Sequence, residues 1–299
     1  MRENQEGKLF SLVYGKLVAE HLDPIEKKPL FHFLPGSSSY SIATVGCNLR
    51  CSHCQNWEIS QWKRGEIPGK ESSPERVVNM AVKLGAKSIS YTYTEPIVFF
   101  EFALDTAKIA QGKGLKNVFV TNGYGEREMW EKILPYLDAC NIDLKSFSPE
   151  FYRQICGANL EPVLESIKFL KENDVWVEVT TLLIPGKNDS LKEREKIAEF
   201  LLSISPDIPW HVTAFYPSYQ MLDTPPTPVY LLKETREMGM KKGLKFVYTG
   251  NVPGDEGENT YCPGCGKVVV GRRGFWIREF HLEKGRCRFC GQSIPGVFV

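Results

Sequence analysis

Cys47, Cys51 and Cys54 stand in the run Gly46-Cys47-Asn48-Leu49-Arg50-Cys51-Ser52-His53-Cys54, a C-x3-C-x2-C spacing. Three thiolates on one short loop can hold three irons of a cubane cluster and leave the fourth without a protein ligand. Fe–S clusters are normally tied by four cysteines, so a compact set of three predicts an open coordination site. A closed cluster moves electrons; an open one can bind a substrate and cleave it reductively. The competing reading is zinc held by the three cysteines and His53, because zinc accepts sulfur and nitrogen tetrahedrally. His53 immediately precedes Cys54, and adjacent residues rarely converge on one ion with good geometry. The cluster is the preferred reading.

A second group lies far downstream. Cys262-Pro263-Gly264-Cys265-Gly266 and Cys287-Arg288-Phe289-Cys290-Gly291 are two C-x2-C-G hooks. Paired hooks of this kind predict one tetrahedral four-thiolate site, and glycine after each second cysteine lets the turn aim amides at the sulfurs. An all-sulfur tetrahedron admits zinc or iron; structural zinc is the expectation, a rubredoxin-like iron the alternative. Cys140 and Cys156 have no partner at ligand spacing and read as small buried hydrophobes.

The totals bound the rest. A chain of 299 residues, 42% hydrophobic and 24% charged, suits one barrel-sized domain with a small appendage. The net charge of +1 argues against a whole-protein polyanion binder. Residues 261–299 carry seven Lys/Arg against two Glu, which suits a nucleic acid or an acidic partner only weakly; nucleic-acid binding is not expected. No apolar run approaches a membrane span. The polar start lacks a secretory apolar region. Cysteines at metal-ligand spacings then point to a reducing compartment, so a cytoplasmic protein is expected.

The elements that must position these groups alternate. Candidate strands at 39–44, 87–93, 117–122, 140–145, 176–184, 210–215 and 245–249 are separated by amphipathic helical runs, which predicts a parallel sheet with crossover helices. Ser73-Pro74 and Ser148-Pro149 read as helix starts, and Ser190-Leu191-Lys192-Glu193 as a capping box. Alternation puts Asn141, Asp143 and Lys145 on one face of the fourth strand, with Cys140, Ile142 and Leu144 opposite. It groups Glu178, Thr180 and Leu182 on the fifth, and His211, Thr213 and Phe215 on the sixth. Polar inner faces suit a functional lumen, and sites in α/β barrels gather at strand carboxyl ends. Six βα units are fewer than the eight of a closed barrel.

These motifs, in this order, resemble the radical S-adenosylmethionine (SAM) superfamily over roughly residues 39–250. The resemblance implies an α/β fold with a partial (βα)6 TIM-like barrel, a [4Fe–4S] cluster on Cys47, Cys51 and Cys54, and SAM on the open iron. It implies an enzyme that cleaves SAM reductively to a 5′-deoxyadenosyl radical, which takes hydrogen from an unidentified substrate. Tyr93-Thr94-Glu95-Pro96 is similar to the family's Gly-Gly-Glu-Pro element, with Tyr93 and Thr94 in place of the glycines. Glu95 and the Thr94 backbone would hold SAM's amino group; Asp143, Lys145 and His211 would line its ribose and carboxylate side. The loop from Ile184 to Asp189 is similar to one near SAM. Val120 replaces an Asp common in activating enzymes, so their cation site is not carried over.

The run Cys54-Gln55-Asn56-Trp57-Glu58-Ile59-Ser60 and the tail ending Ile294-Pro295-Gly296-Val297-Phe298 resemble the AmmeMemoRadiSam subgroup, which is pyruvate formate-lyase activating enzyme-like. That resemblance implies Memo-like and AMMECR-like partner proteins and a reducing electron donor such as flavodoxin or ferredoxin. The expected domains are a β arm at 1–38, the barrel at 39–250, a linker at 251–259, and a zinc-ribbon or rubredoxin-like four-cysteine domain at 260–299. Two rivals remain: a glycyl-radical enzyme activase, and a non-enzymatic metal module that binds nucleic acid or protein from a barrel scaffold.

Overall fold

The computed structural model describes residues 1–62 and 65–298. Residues 63–64 of the expected barrel segment and residue 299 of the expected tail lie outside the described residues.

Seven strands appear where alternation and β-branched content placed them, with no end shifted by more than two residues. They are β2 (Ser38–Ala43), β3 (Ser88–Tyr91), β4 (Lys116–Thr121), β5 (Ala139–Asp143), β6 (Trp176–Leu183), β7 (Trp210–Ala214) and β8 (Val247–Gly250). All seven run parallel in strict chain order. The amino-terminal arm adds β1 (Ala19–Pro24), which pairs antiparallel with β2 and makes an eighth strand. No ladder joins β8 to β1 among the described residues, so pairing leaves the sheet open rather than closed as a barrel.

Helices cover one face because their apolar residues recur at helical spacing. In α1 (Pro74–Lys83) the buried set is Val77, Val78 and Ala81; in the helix from Glu161 to Glu172, here α3 after α2 (Phe100–Gly112), it includes Val163, Ile167 and Leu170. Ser73 caps α1 by accepting the Arg76 amide at 3.2 Å. Ser190 likewise caps α4 (Leu191–Ile204), accepting from Glu193 N at 3.3 Å. The return half of that capping box is diverted: the Glu193 carboxylate binds the Ser146 hydroxyl and the Phe147 amide instead. The outward residues Cys140, Ile142, Val177 and Val179 join the main apolar core.

The carboxyl-terminal part is a three-stranded antiparallel sheet that includes β9 (Val268–Arg273) and β10 (Trp276–Phe280), followed by a short hairpin. It does not stand apart. Its Cys262, Val269, Val270, Leu282, Cys287 and Ile294 share one apolar cluster with Phe31 of the arm and with Phe246 and Tyr248 near β8. Arg272 donates to the Phe31 carbonyl at 2.8 Å. The stretch expected as a linker is also bound: Asn251 donates to the Ala214 carbonyl at 2.9 Å, and the Thr249 hydroxyl donates to Asp255 at 2.8 Å. Among the described residues, no helix is long and apolar enough to cross a membrane.

Candidate active site

At the carboxyl ends of the parallel strands lies a cavity of 530 Å³. Cys47, Cys51 and Cys54 all line it, on the loop that follows β2. That loop needs glycine at its start: Gly46 has φ +108°, and a Cβ there would lie 2.4 Å from Met1 Cγ. Its backbone is pinned from outside, because Arg50 N and Ser52 N donate to the carbonyls of Cys156 and Ile155 at 2.8 and 2.9 Å.

The sulfurs have partners on other segments. Asn122 Nδ2 lies 3.6 Å from Cys47 Sγ and donates to Asn48 Oδ1 at 2.8 Å; Cys54 Sγ lies 3.0 Å from Ser60 Oγ. All three thiols are held above the ordinary thiol range. Burial and the nearby Glu95 raise Cys47, a hydrogen bond with Cys156 and burial raise Cys51, and burial raises Cys54. Such thiols lose their protons readily only when a cation binds, and irons would supply it. Three soft donors facing one cavity, Cys51 buried and Cys47 and Cys54 partly buried, fit a cluster with an open iron.

Glu95 sits at the end of the β3 turn, 2% exposed. Its Oε1 accepts from the Thr121 hydroxyl at 2.7 Å and Ile97 N at 3.2 Å, and its Oε2 from Asn122 N at 2.8 Å. Burial pushes this carboxyl up to about 7 against the pull of those bonds. The group thus locks the strand-end turn that carries Asn122, and one of its roughly four acceptor positions is left. Thr94 is committed through its hydroxyl to Thr44 O and through its amide to Thr92 O, both at 2.8 Å.

Lys145 and Asp143 line the same wall and pair at 2.9 Å. Burial works to lower the Lys145 pKa, but Asp143 and the neighbouring cysteines outweigh it and hold the ammonium strongly charged. Asn188, from the loop after β6, donates to the Lys145 carbonyl at 2.6 Å and to Leu182 O at 2.8 Å. That loop braces the wall rather than lining it.

His211 shares its strand face with Thr213, yet only Thr213 reaches the cavity. The structure puts the His211 ring below the floor. Its Nε2 lies 2.7 Å from Glu178 Oε2, and its ring meets Phe31 edge-on at 4.7 Å. Glu178 is fully satisfied there, taking also Phe31 N, His32 N and Trp176 Nε1. So the cavity gathers Cys47, Cys51, Cys54, Thr94, Glu95, Asp143 and Lys145, and leaves His211 out.

Sequence reasoning missed several contributors. Asn122 drew no site assignment, and Cys156 read as a small buried hydrophobe. Lys27 and Lys28 of the arm, and Phe275 of the β9–β10 turn, also line the cavity. A Lys-Lys-Pro run is visible in the arm, but nothing local announces where it folds.

The four tail cysteines converge by themselves. Their sulfurs lie within 4.8 Å of one another, with Cys262 to Cys290 at 3.6 Å and Cys265 to Cys287 at 3.8 Å. Gly266 and Gly291 have φ of +70° and +77°, and their amides donate back to the Cys262 and Cys287 carbonyls. A tetrahedron with metal–sulfur bonds of about 2.3 Å has edges of about 3.8 Å, so the four thiols fit one ion.

Comparison with known proteins agrees with this geometry. The family described as "Radical SAM superfamily" matches residues 41–201, which include the three loop cysteines, Glu95 and Lys145. Uncharacterized protein MJ0808 of Methanocaldococcus jannaschii is 47% identical over 98% of this chain and 88% of its own length. The pyruvate formate-lyase-activating enzyme of Clostridium pasteurianum is 25% identical over 53% of this chain and 67% of its own. Among solved structures, Streptococcus suis SuiB bound to S-adenosylmethionine shares the fold with a TM-score of 0.58 at 12% identity, covering 76% of this chain and 53% of that one. With half of the sequence matched and the three cysteines opening on one strand-end cavity, the chain belongs to the radical SAM superfamily.

Proposed function

We propose that this chain is an enzyme that cleaves SAM reductively and uses the resulting radical to take hydrogen from a substrate whose identity is open. One observation carries the reading: the three sulfurs of a single loop share a cavity with Glu95, Asp143 and Lys145. When bound, a [4Fe–4S] cluster and SAM supply an electron and a sulfonium whose C–S bond breaks to methionine and a 5′-deoxyadenosyl radical. The chain's own residues orient and shield. The acceptor position left on Glu95 faces the job of receiving an ammonium, with the Thr94 carbonyl as a second acceptor. Lys145 has three donors and gives one to Asp143, so others remain for a carboxylate. His211 would act only at a distance, by fixing Glu178 and the floor.

The tail is assigned structural zinc, on four thiolates whose sulfurs lie within 4.8 Å of one another; iron is the alternative. The apolar cluster it shares with Phe31, Phe246 and Tyr248 supports a bracing role over an electron relay. The run from Cys54 to Ser60 and the Ile294–Phe298 end support the AmmeMemoRadiSam subgroup, with Memo-like and AMMECR-like partners and a flavodoxin or ferredoxin donor. Relatives described as pyruvate formate-lyase-activating enzymes keep a glycyl-radical activase as the second reading.

Anaerobic reconstitution with iron, sulfide, SAM and dithionite tests the proposal. The expected product is 5′-deoxyadenosine in step with methionine. Iron-loaded protein that yields neither would sink the radical reading. Metal analysis of the whole chain as purified separates zinc from iron in the tail.

A further inference from the structure

Residues 41–201 carry the family match, yet the cavity wall does not end with them. Lys27, Lys28 and Pro29 come from the arm, and Asn251 and Phe275 from the carboxyl-terminal side. A wall section outside the shared segment is where a chain would build recognition of its own substrate.

The arm's section is charged. Asp23 accepts from Lys28 Nζ at 2.6 Å, Lys27 Nζ at 2.9 Å and the Tyr93 hydroxyl. Two ammonium groups on one carboxylate leave one positive charge over. Each ammonium offers three donors, and Asp23 is the one hydrogen-bond acceptor either has among the described residues. The Lys28 side chain is 1% exposed, that of Lys27 41%. Burial lowers the Lys28 pKa to about 8 against the pull of Asp23. The buried Lys28–Asp23 pair is neutral overall, so the surplus charge rests on Lys27, half-exposed on the cavity wall, where an incoming anion can meet it.

Tyr93 adds a second observation. It has φ +64°, a left-handed conformation unusual for a tyrosine. Such strain persists only where the surroundings over-determine it, and it gathers at functional sites. Asn56 Nδ2 holds the Tyr93 carbonyl at 2.8 Å, and the Lys28 ammonium lies 4.5 Å from the ring centroid. From the carboxyl-terminal part, Phe275 lines the same cavity while 46% exposed. It follows Gly274, whose φ of +60° turns the β9–β10 hairpin.

We infer that Lys27, Lys28, Tyr93 and Phe275 form a substrate subsite for a small molecule that carries a carboxylate or phosphate on an apolar or aromatic body. The anion sits on the lysine pair, and the body lies against Phe275. What happens to that substrate rests on the SAM-cleaving reading above; the binding does not.

Titration calorimetry with phenylacetate, phenylphosphate and neutral phenylacetamide tests it, on the whole chain reconstituted anaerobically with SAM. One anion should bind at least about tenfold tighter than the amide, a difference a single charged contact supplies. The stronger anion tells carboxylate from phosphate. Lys27→Gln should remove most of that preference, and Phe275→Ala should weaken all three probes alike. Equal binding of charged and neutral probes, no binding by either anion, or an unchanged preference in Lys27→Gln overturns the inference. Cluster loading and 5′-deoxyadenosine are read separately. The same titration on the iron-free chain should keep the Lys27 dependence, so failure of the radical reading stays distinguishable from failure of the subsite.

Discussion

The sulfurs of Cys47, Cys51 and Cys54 open on a cavity and find their partners elsewhere, on Asn122, Cys156 and Ser60. Those of Cys262, Cys265, Cys287 and Cys290 turn to one another, within 4.8 Å. Both groups are short hooks of the same residue type. The difference is what surrounds them. The tail hooks are complete in themselves, with glycines and carbonyls within each turn closing the geometry. The loop hook is incomplete, and other elements finish it. A self-sufficient set of donors suits a structural ion, whereas an incomplete set leaves room for a reacting ligand.

The sharpest way to break that contrast is to remove one loop sulfur. Cys51→Ala should abolish 5′-deoxyadenosine formation and lower bound iron, while the tail keeps one metal ion per chain. Loss of both metals together would mean that the two regions are not independent. The reciprocal change, Cys287→Ser, should empty the tail and cost several kcal/mol, lowering Tm by roughly 10 °C. Calorimetric melting with metal analysis checks this, and a Tm shift under a degree would remove the tail's structural role.

His32 sits where the two regions join, with Nδ1 2.7 Å from Pro295 O and Nε2 2.6 Å from Tyr248 OH. Burial lowers its pKa from 6.5 to about 4. The folded chain therefore keeps the ring neutral while the unfolded chain protonates it. Stability is full above pH 6.5 and falls as pH drops toward 4, by about 3 kcal/mol. Glu178, whose pKa the His211 hydrogen bond helps to lower against the effect of burial, adds loss in the same direction at still lower pH. Denaturant midpoints in His32→Gln that keep the full slope between pH 6.5 and 4 would exclude His32 as its source.

The smallest effect concerns the loop's outside help. Asn122→Ala removes the donor beside Cys47 and should slow SAM cleavage about tenfold, as loss of a group supporting a metal ligand does. The cluster's midpoint potential should shift with it. An unchanged rate and potential would make Asn122 a turn residue only.

Much of this architecture is legible in the order of residues alone. The seven parallel strands are visible because each is short, apolar on its outer face and bounded by a turn or helix cap. Both cysteine sets are visible because ligand spacing is local. Alternation places His211 and Thr213 on one face, correctly, but face is not depth. Only the arm, by filling the floor with Phe31 and His32, decides that Thr213 is wet and His211 dry. Asn122, Cys156, Lys28 and Phe275 escape for the same reason: their partners are distant in the chain, and no periodicity records such contacts. Glu193 shows the converse, a strong local motif half overridden by Ser146.

The clasp between arm and tail carries a further consequence for how the molecule is made. Leu34 N donates to Val297 O, Val297 N donates to His32 O, and the His32 ring reaches a residue 263 positions later. Contacts that span so much chain form late, since a long loop must first be closed. The lower surface under the cavity is therefore sealed only after β9, β10 and the Ile294–Phe298 segment have been synthesised, and amides at 32 and 297 should acquire exchange protection after those of β3 and β4. Until then the cavity lacks its base, so its walls are complete only in the finished fold.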